Sequence, residues 1–199
     1  SGRVKLKFPW LADDVESTWA RVASIGAGSG RGVQWLPEVN DEVLVVFEQG
    51  DINRPYVIGS LWNGQHKPPL PASEALAGGE VHKRIMKTRA GHTLTLVDGS
   101  DEGVMIETRG GHKVTLADQD KKVVIETSGG LKLTLDDGKN EVILDSGGNL
   151  TLKSGANLTV EASGTLELKG QTFSLKGNAR GEVDGGGTLD VKGGLVRIN

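Results

Sequence analysis

The chain has 199 residues, no cysteine and a formal net charge of −3, which rules out a disulfide framework or Cys-ligated metals and leaves no basic excess for binding a phosphate backbone. No apolar run approaches the length of a membrane-spanning helix, and no signal peptide is recognised. All six prolines lie at or before Pro71, seven of the eight aromatics precede residue 63, and glycines number 8 before residue 77 and 22 after it, so two physically different parts are expected.

The first seventy residues read as a small all-β domain. Candidate strands are Arg3 to Phe8, Thr18 to Ser24, Asp41 to Glu48 and Tyr56 to Leu61, with a weaker one over Gly32 to Leu36. Each is rich in β-branched or aromatic residues and bounded by turn chemistry such as Gly50-Asp51 or Asn53-Arg54-Pro55. Four or five short strands with little helix signal suggest an OB-fold barrel. Gly26 to Gly32 (GAGSGRG) lacks the Lys-Ser/Thr of a phosphate-binding loop and is read as a flexible connection. Trp10, Trp19, Trp35 and Trp62 are assigned to the barrel core and interdomain packing; a stacking platform for single-stranded nucleic acid would need a basic groove beside it.

A joint follows, with the stiff run Lys67-Pro68-Pro69-Leu70-Pro71, one helical turn over Ser73 to Ala77, and Gly78-Gly79 to end it. From Thr88 a longer repeat begins, with units starting at Thr88, Thr108 and Thr127, offset by 20 and 19 residues. Each unit holds two strands joined by an acidic turn. One strand carries Leu94/Leu96, Val114/Leu116 or Leu133/Leu135, and the other Val104/Ile106, Val123/Ile125 or Val142/Leu144.

After Ser146 the repeat contracts to eight residues, with Leu150/Leu152, Leu158/Val160 and Leu166/Leu168 each flanking a polar residue. The pattern continues less regularly through Phe173/Leu175, Val183 and Leu189/Val191. An octad spans only about 26 Å and has one apolar face, so it cannot enclose a core alone. An open ribbon of such strands would expose an apolar stripe and two unpaired edges. Three chains sharing an axis would bury the stripe. The expected trimer core is Leu94, Leu96, Val114, Leu116, Leu133, Leu135, Leu150, Leu152, Leu158, Val160, Leu166, Leu168, Phe173 and Leu175. A single-chain β-helix fits the 19-to-20-residue units but not the octads. About fourteen strands are expected between residue 85 and the C-terminus. The fold class is thus all-β: an OB-fold barrel at 1–70, a linker at 71–84, and an intertwined homotrimeric triangular β-helix, or β-prism, at 85–199.

Several segments together carry a family resemblance: Gly2-Arg3-Val4-Lys5-Leu6-Lys7-Phe8-Pro9-Trp10, Ser17-Thr18-Trp19-Ala20-Arg21-Val22, Pro37 with Asp41-Glu42-Val43-Leu44-Val45, Gly50-Asp51, Arg54-Pro55-Tyr56-Val57-Ile58-Gly59-Ser60-Leu61-Trp62-Asn63 and His66-Lys67-Pro68-Pro69. In this order they resemble the OB-fold of spike proteins of contractile injection systems, the VgrG-like spikes of type VI secretion and of phage-tail-like particles. The units with Gly-His before Thr-Leu or Lys-Val-Thr-Leu resemble that family's shaft. The resemblance implies a homotrimer that caps the inner tube, sits among baseplate proteins and is driven through a target membrane. It also implies a PAAR-type tip protein seated on the C-terminal end, here Leu195, Val196, Arg197, Ile198 and Asn199. Assembly would be cytoplasmic, with delivery outside the cell or into the target envelope. The larger tube-docking domains that precede the OB-fold in VgrG-like members are not in this sequence; it begins Ser-Gly rather than Met and is read as trimmed at its start. It also shows neither an inserted lysozyme domain nor an effector extension.

No catalytic residues, cofactor or nucleic-acid partner are expected. His92 and His112 occupy matched positions and are the metal candidates, since a threefold axis would bring three imidazoles together. Leu131 stands at the same position in the third unit, and a hydrogen-bonded corner histidine is the plainer reading. His66 and His82 look isolated. The acidic turns Asp98 to Glu102 and Asp136-Asp137-Gly138 lack the ligand spacing of calcium loops and read as solvated. The alternative to a spike is an OB-fold binding module on a fibrous stalk, recognising nucleic acid or glycan; a β-helical polysaccharide enzyme is a third reading.

Overall fold

The computed structural model describes residues 2–11 and 15–197. These divide into two compact units, one running through Leu150 and the other starting at Thr151. The first unit is almost wholly β. It holds β1 (Arg3–Val4), β2 (Ala20–Val22), β3 (Ala27–Gly28), β4 (Arg31–Gly32), β5 (Val43–Phe47) and β6 (Pro55–Ser60). A single helical turn α1 (Ala72–Ala75) precedes β7 (Leu76–Ala77) and β8 (Glu80–Val81). A seven-strand run completes the unit: β9 (Lys83–Lys87), β10 (Thr93–Val97), β11 (Gly103–Glu107), β12 (Lys113–Ala117), β13 (Lys122–Glu126), β14 (Lys132–Asp136) and β15 (Glu141–Asp145).

The N-terminal strands form an OB-like sheet in the order β1-β2-β6-β5, with β2 and β6 parallel and the other neighbours antiparallel. Alternation along β5 turns Val43, Val45 and Phe47 inward against Leu6, Phe8, Ala20 and Val57, which form the core. Phe8 lies 6.1 Å from Phe47, centroid to centroid. A register shift opposite Leu44 and Val45 leaves Ile58 as the extra residue of a bulge on β6. The strands are shorter than the sequence suggests. Beyond β1 the described residues make the Lys7–Glu16 bridge, with the Leu6 amide donating to the Ser17 hydroxyl and the Ser17 amide to the Leu6 carbonyl. The weaker strand over Gly32 to Leu36 is not formed. Gly32 instead closes the small β3–β4 hairpin, where at φ +130° a Cβ would sit 2.1 Å from the Gly26 carbonyl oxygen.

The four tryptophans depart from the core assignment: all are more than half exposed within the chain, from Trp35 at 56% to Trp10 at 77%. The core is filled instead by Leu6, Phe8 and Val57 over the small Ala20. Lys5 Nζ lies 5.8 Å above the Trp19 ring, and its other contact, with Glu16 at 2.9 Å, holds the Glu16 carboxyl below the usual carboxylate range.

The joint also differs in detail. The helical turn covers Ala72–Ala75, and Gly78-Gly79 do not merely stop it: both have positive φ, 60° and 86°, and form the two-residue turn of the β7–β8 hairpin.

Strands β9 to β15 form one antiparallel meander in sequence order. The 20- and 19-residue offsets have a simple origin: the acidic turn 98–102 has five residues, whereas Asp118 to Lys121 has four. The shorter acidic turns place Lys121 and Asn140 at φ 53°, a left-handed position that asparagine takes at little cost. On the opposite edge, three five-residue turns share one bond set. The Thr88, Thr108 and Thr127 amides donate to the carbonyls of His92, His112 and Leu131, whose amides return to the threonine hydroxyls.

From Thr151 to Arg197 no hydrogen-bonded strand or helix is present among the described residues, and every one of them is exposed. Paired bends punctuate this stretch at 155–156, 163–164, 171–172, 178–179, 186–187 and 194–195, following one at 147–148. The octad is therefore more regular than the sequence suggests, with one seven-residue step between 171–172 and 178–179. Two of the bends are built alike: the hydroxyls of Ser146 and Ser154 donate to the carbonyls of Asn149 and Asn157 and accept the amides of Gly148 and Ala156. Within one chain the expected stack of about fourteen strands thus stops after seven, at Asp145, because the octads meet no backbone partner of their own chain.

Candidate assembly surface

Register sorts the meander into two unlike faces. On one, two columns run across all seven strands: Met86, Leu94, Ile106, Val114, Ile125, Leu133 and Leu144 form the first, and Arg84, Leu96, Val104, Leu116, Val123, Leu135 and Val142 the second. Thirteen of these fourteen side chains are apolar. None is fully buried, and exposure rises to 70% at Val142.

The other face is mixed: a central column of Ile85, Thr95, Met105, Thr115, Val124, Thr134 and Ile143 is flanked by charged ones. One column reads Glu107, Lys113, Glu126, Lys132, Asp145, so that opposite charges sit directly across each strand pair, with Lys113 Nζ 3.5 Å from Glu107. The first face is the more continuously apolar, and such a surface is favourably covered by another apolar one. Within the first unit, none of the side chains in its two apolar columns is fully buried.

The expected residues Leu94, Leu96, Val114, Leu116, Leu133 and Leu135 all lie in these two columns. The register adds Met86, Val104, Ile106, Val123, Ile125, Val142 and Leu144, absent from the expected set although the same alternation marks most of them. In the octads, Leu150, Leu152, Leu158, Val160, Leu166, Leu168, Phe173 and Leu175 are all exposed. At the far end Leu195 and Val196 are exposed and follow the bend at Gly194, and Arg197 closes the described stretch. Ile198 and Asn199 lie outside the described residues.

His92 and His112 stand in the five-residue turns, just before the strands. Each accepts at Nδ1 the amide of the next turn, from Arg109 and Ser128 respectively, both at 3.3 Å. That bond needs the Nδ1 lone pair, so it holds with the proton on Nε2. Beside His92 a shallow cavity of about 500 Å³ is lined by Glu38, Arg89 and Arg109, with Arg89 3.3 Å from Glu38. Among the described residues no group of three or more His, Asp or Glu side chains converges as metal ligands would.

Asp136 departs from the solvated-turn reading. It is only 6% exposed, its Oδ1 accepts the Lys139 amide at 3.1 Å, and Lys122 Nζ lies 3.4 Å from Oδ2. Burial pushes the carboxyl up, but the Lys139 amide and the Lys122 ammonium outweigh it and hold it below the usual range.

The described residues thus define an all-β protein with an OB-like sheet, an antiparallel meander and a repetitive stretch of octads. Residues 1–62 match the family of type VI secretion system/phage-baseplate injector OB domains. Over part of its length the chain resembles VgrG-like spikes, and similar proteins of Pseudomonas aeruginosa include three type VI secretion system spike proteins. VgrG4b is 43% identical over 79 residues, covering 37% of this chain and 10% of that protein. For VgrG1a the figures are 35% over 83 residues, 39% and 13%, and for VgrG5 they are 43% over 72 residues, 34% and 9%. The matched stretch thus spans about a tenth of the length of these relatives.

Proposed function

We propose that the chain is the spike of a contractile injection system, working as a homotrimer organised as an OB-fold at 1–70, a linker at 71–84 and a trimeric shaft at 85–199. Three copies close their apolar faces on one another and interlace their octads, so that the backbone groups left open in one chain pair with the next. The observation that carries this reading is the stretch from Thr151 to Arg197: apolar pairs and bends at an eight-residue period broken by one seven-residue step, with no strand partner among the described residues. A backbone donor or acceptor without a partner is costly unless water or another chain satisfies it, and an intertwined trimer answers both the polar and the apolar demand.

In this role the protein acts mechanically, with no chemical step of its own. The OB-fold sits at the baseplate over the inner tube, contraction drives the shaft through the target membrane, and Leu195 to Asn199 seat a PAAR-type tip protein. Cytoplasmic assembly followed by delivery out of the cell goes with that role. The family match at 1–62 and the spike proteins among its relatives support the reading. Light scattering tests it: three copies of the 21.0 kDa chain give about 63 kDa, with a band resistant to SDS until boiled. A folded species of one-chain mass would overturn it. Deleting Leu195 to Asn199 is expected to abolish tip-protein binding while leaving the trimer intact.

A further inference from the structure

His82 looks isolated in the sequence, yet in the structure both of its ring nitrogens are engaged. The half-buried ring lies between the β7–β8 hairpin and the first acidic turn of the meander. Nδ1 is 3.2 Å from the Asp98 carbonyl oxygen, and Nε2 is 3.0 Å from the Ala77 carbonyl oxygen. The backbone brings the same two segments together: the His82 amide donates to the Ala75 carbonyl and the Asp98 amide to the His82 carbonyl, both at 2.8 Å. Gly99 leaves the ring its place, since a Cβ there would lie 3.0 Å from Nδ1.

A carbonyl oxygen only accepts, and a neutral imidazole offers one N–H and one lone pair. With a single ring proton, one of these two contacts sets lone pair against lone pair. Both become hydrogen bonds only when both nitrogens are protonated, and a charged donor strengthens each. His92 and His112 have the opposite requirement, because their Nδ1 atoms accept amide protons. Charged groups stand on the elements around His82. Asp98, Asp101 and Glu102 belong to the facing turn and Glu80 to the hairpin, while Arg84 on β9 is tied to the Asp98 carboxylate. From the next acidic turn, the neutral Gln119 amide donates to the Gly99 carbonyl.

We propose that His82 is a proton-operated strap at the joint between the OB-like part and the meander. Doubly protonated, it fastens the Leu76–Val81 hairpin to the Asp98 turn through two charge-assisted bonds. With one proton it holds by a single bond and the hairpin loosens. The joint is therefore stiffer on the acid side of the imidazole titration and more pliable on the alkaline side, within the pH 5 to 8 range in which histidine changes charge.

Two measurements on the full chain test this. With ¹⁵N-labelled histidine, imidazole spectra of the unsubstituted protein are expected to show His82 with both ring protons at a pH where His92 and His112 carry one. A single-proton His82 throughout pH 5.5 to 8 would overturn the proposal, and this measurement needs no variant. Amide exchange of Leu76 to Val81, corrected for its intrinsic pH dependence, is expected to lose about tenfold protection between pH 5.5 and 8, the scale of one charge-assisted bond. In His82→Gln that dependence should vanish; if it persists unchanged, the strap is not His82.

Discussion

Leu158 offers a direct test of the proposed trimer. It is 61% exposed within one chain, so more than half of its side chain remains to be covered on assembly. Full burial of a leucine contributes about 1.5–3 kcal/mol, so closing the three equivalent sites contributes roughly 3–6 kcal/mol per trimer. Leu158→Ala removes that contribution and leaves cavities. Leu158→Asp goes further, because each carboxylate must give up hydration and three of them meet at one level of the shaft. The expected result by light scattering at micromolar concentration is a fall from about 63 kDa toward the 21.0 kDa chain for Leu158→Asp, and a trimer with lowered thermal stability for Leu158→Ala. Thr159, the next residue, alternates to the opposite side, so Thr159→Asp should keep the parent mass. A Leu158→Asp protein as trimeric as the parent, or equal dissociation by both aspartate variants, would refute the reasoning.

The folded-state carboxyl of Asp136 is held low, so its contribution to stability is present above the unfolded-state value and is lost as pH falls through the lowered folded-state value. Asp136→Asn should remove that acid limb, and exchange of the Lys139 amide should quicken at neutral pH. Lys113→Glu places a carboxylate opposite Glu107 and Glu126 and is expected to cost about 1 kcal/mol in denaturant melts, less in high salt. Gly32→Ala must accommodate a Cβ 2.1 Å from the Gly26 oxygen at positive φ; a loss of about 1–3 kcal/mol is expected, read as a lower denaturation midpoint.

Much of this fold is written in the alternation of its sequence. Leu94/Leu96 and Val114/Leu116 disclose which face of each strand is apolar, and the offsets of 20 and 19 residues even record the length of the acidic turns. Period shows which side chains share a face but not what covers that face, which is why the tryptophans went astray. Aromatics in a small barrel usually serve its core, whereas here Leu6, Phe8 and Val57 suffice. Asp136 and His82 were illegible for another reason. A buried carboxylate needs Lys122 from the neighbouring strand, and the imidazole needs two carbonyls 5 and 16 residues away, partners that only the register brings near. Gly78-Gly79 could equally end a helix or turn a hairpin, and the pairing of Leu76 with Val81 chose the hairpin.

The lone seven-residue step between the bends at 171–172 and 178–179 bears on how three chains would find their alignment in the proposed trimer. A ruler with identical divisions can be laid against another at any whole number of marks, and strands made only of equal octads could slip past one another by eight residues with nearly the same fit. One short division breaks that degeneracy. Chains offset by a unit would set the short interval of one against a full interval of its neighbours, and the side chains of that unit would be out of step by one residue. A single omitted residue thus marks, in the proposed trimer, the one alignment in which no interval is mismatched.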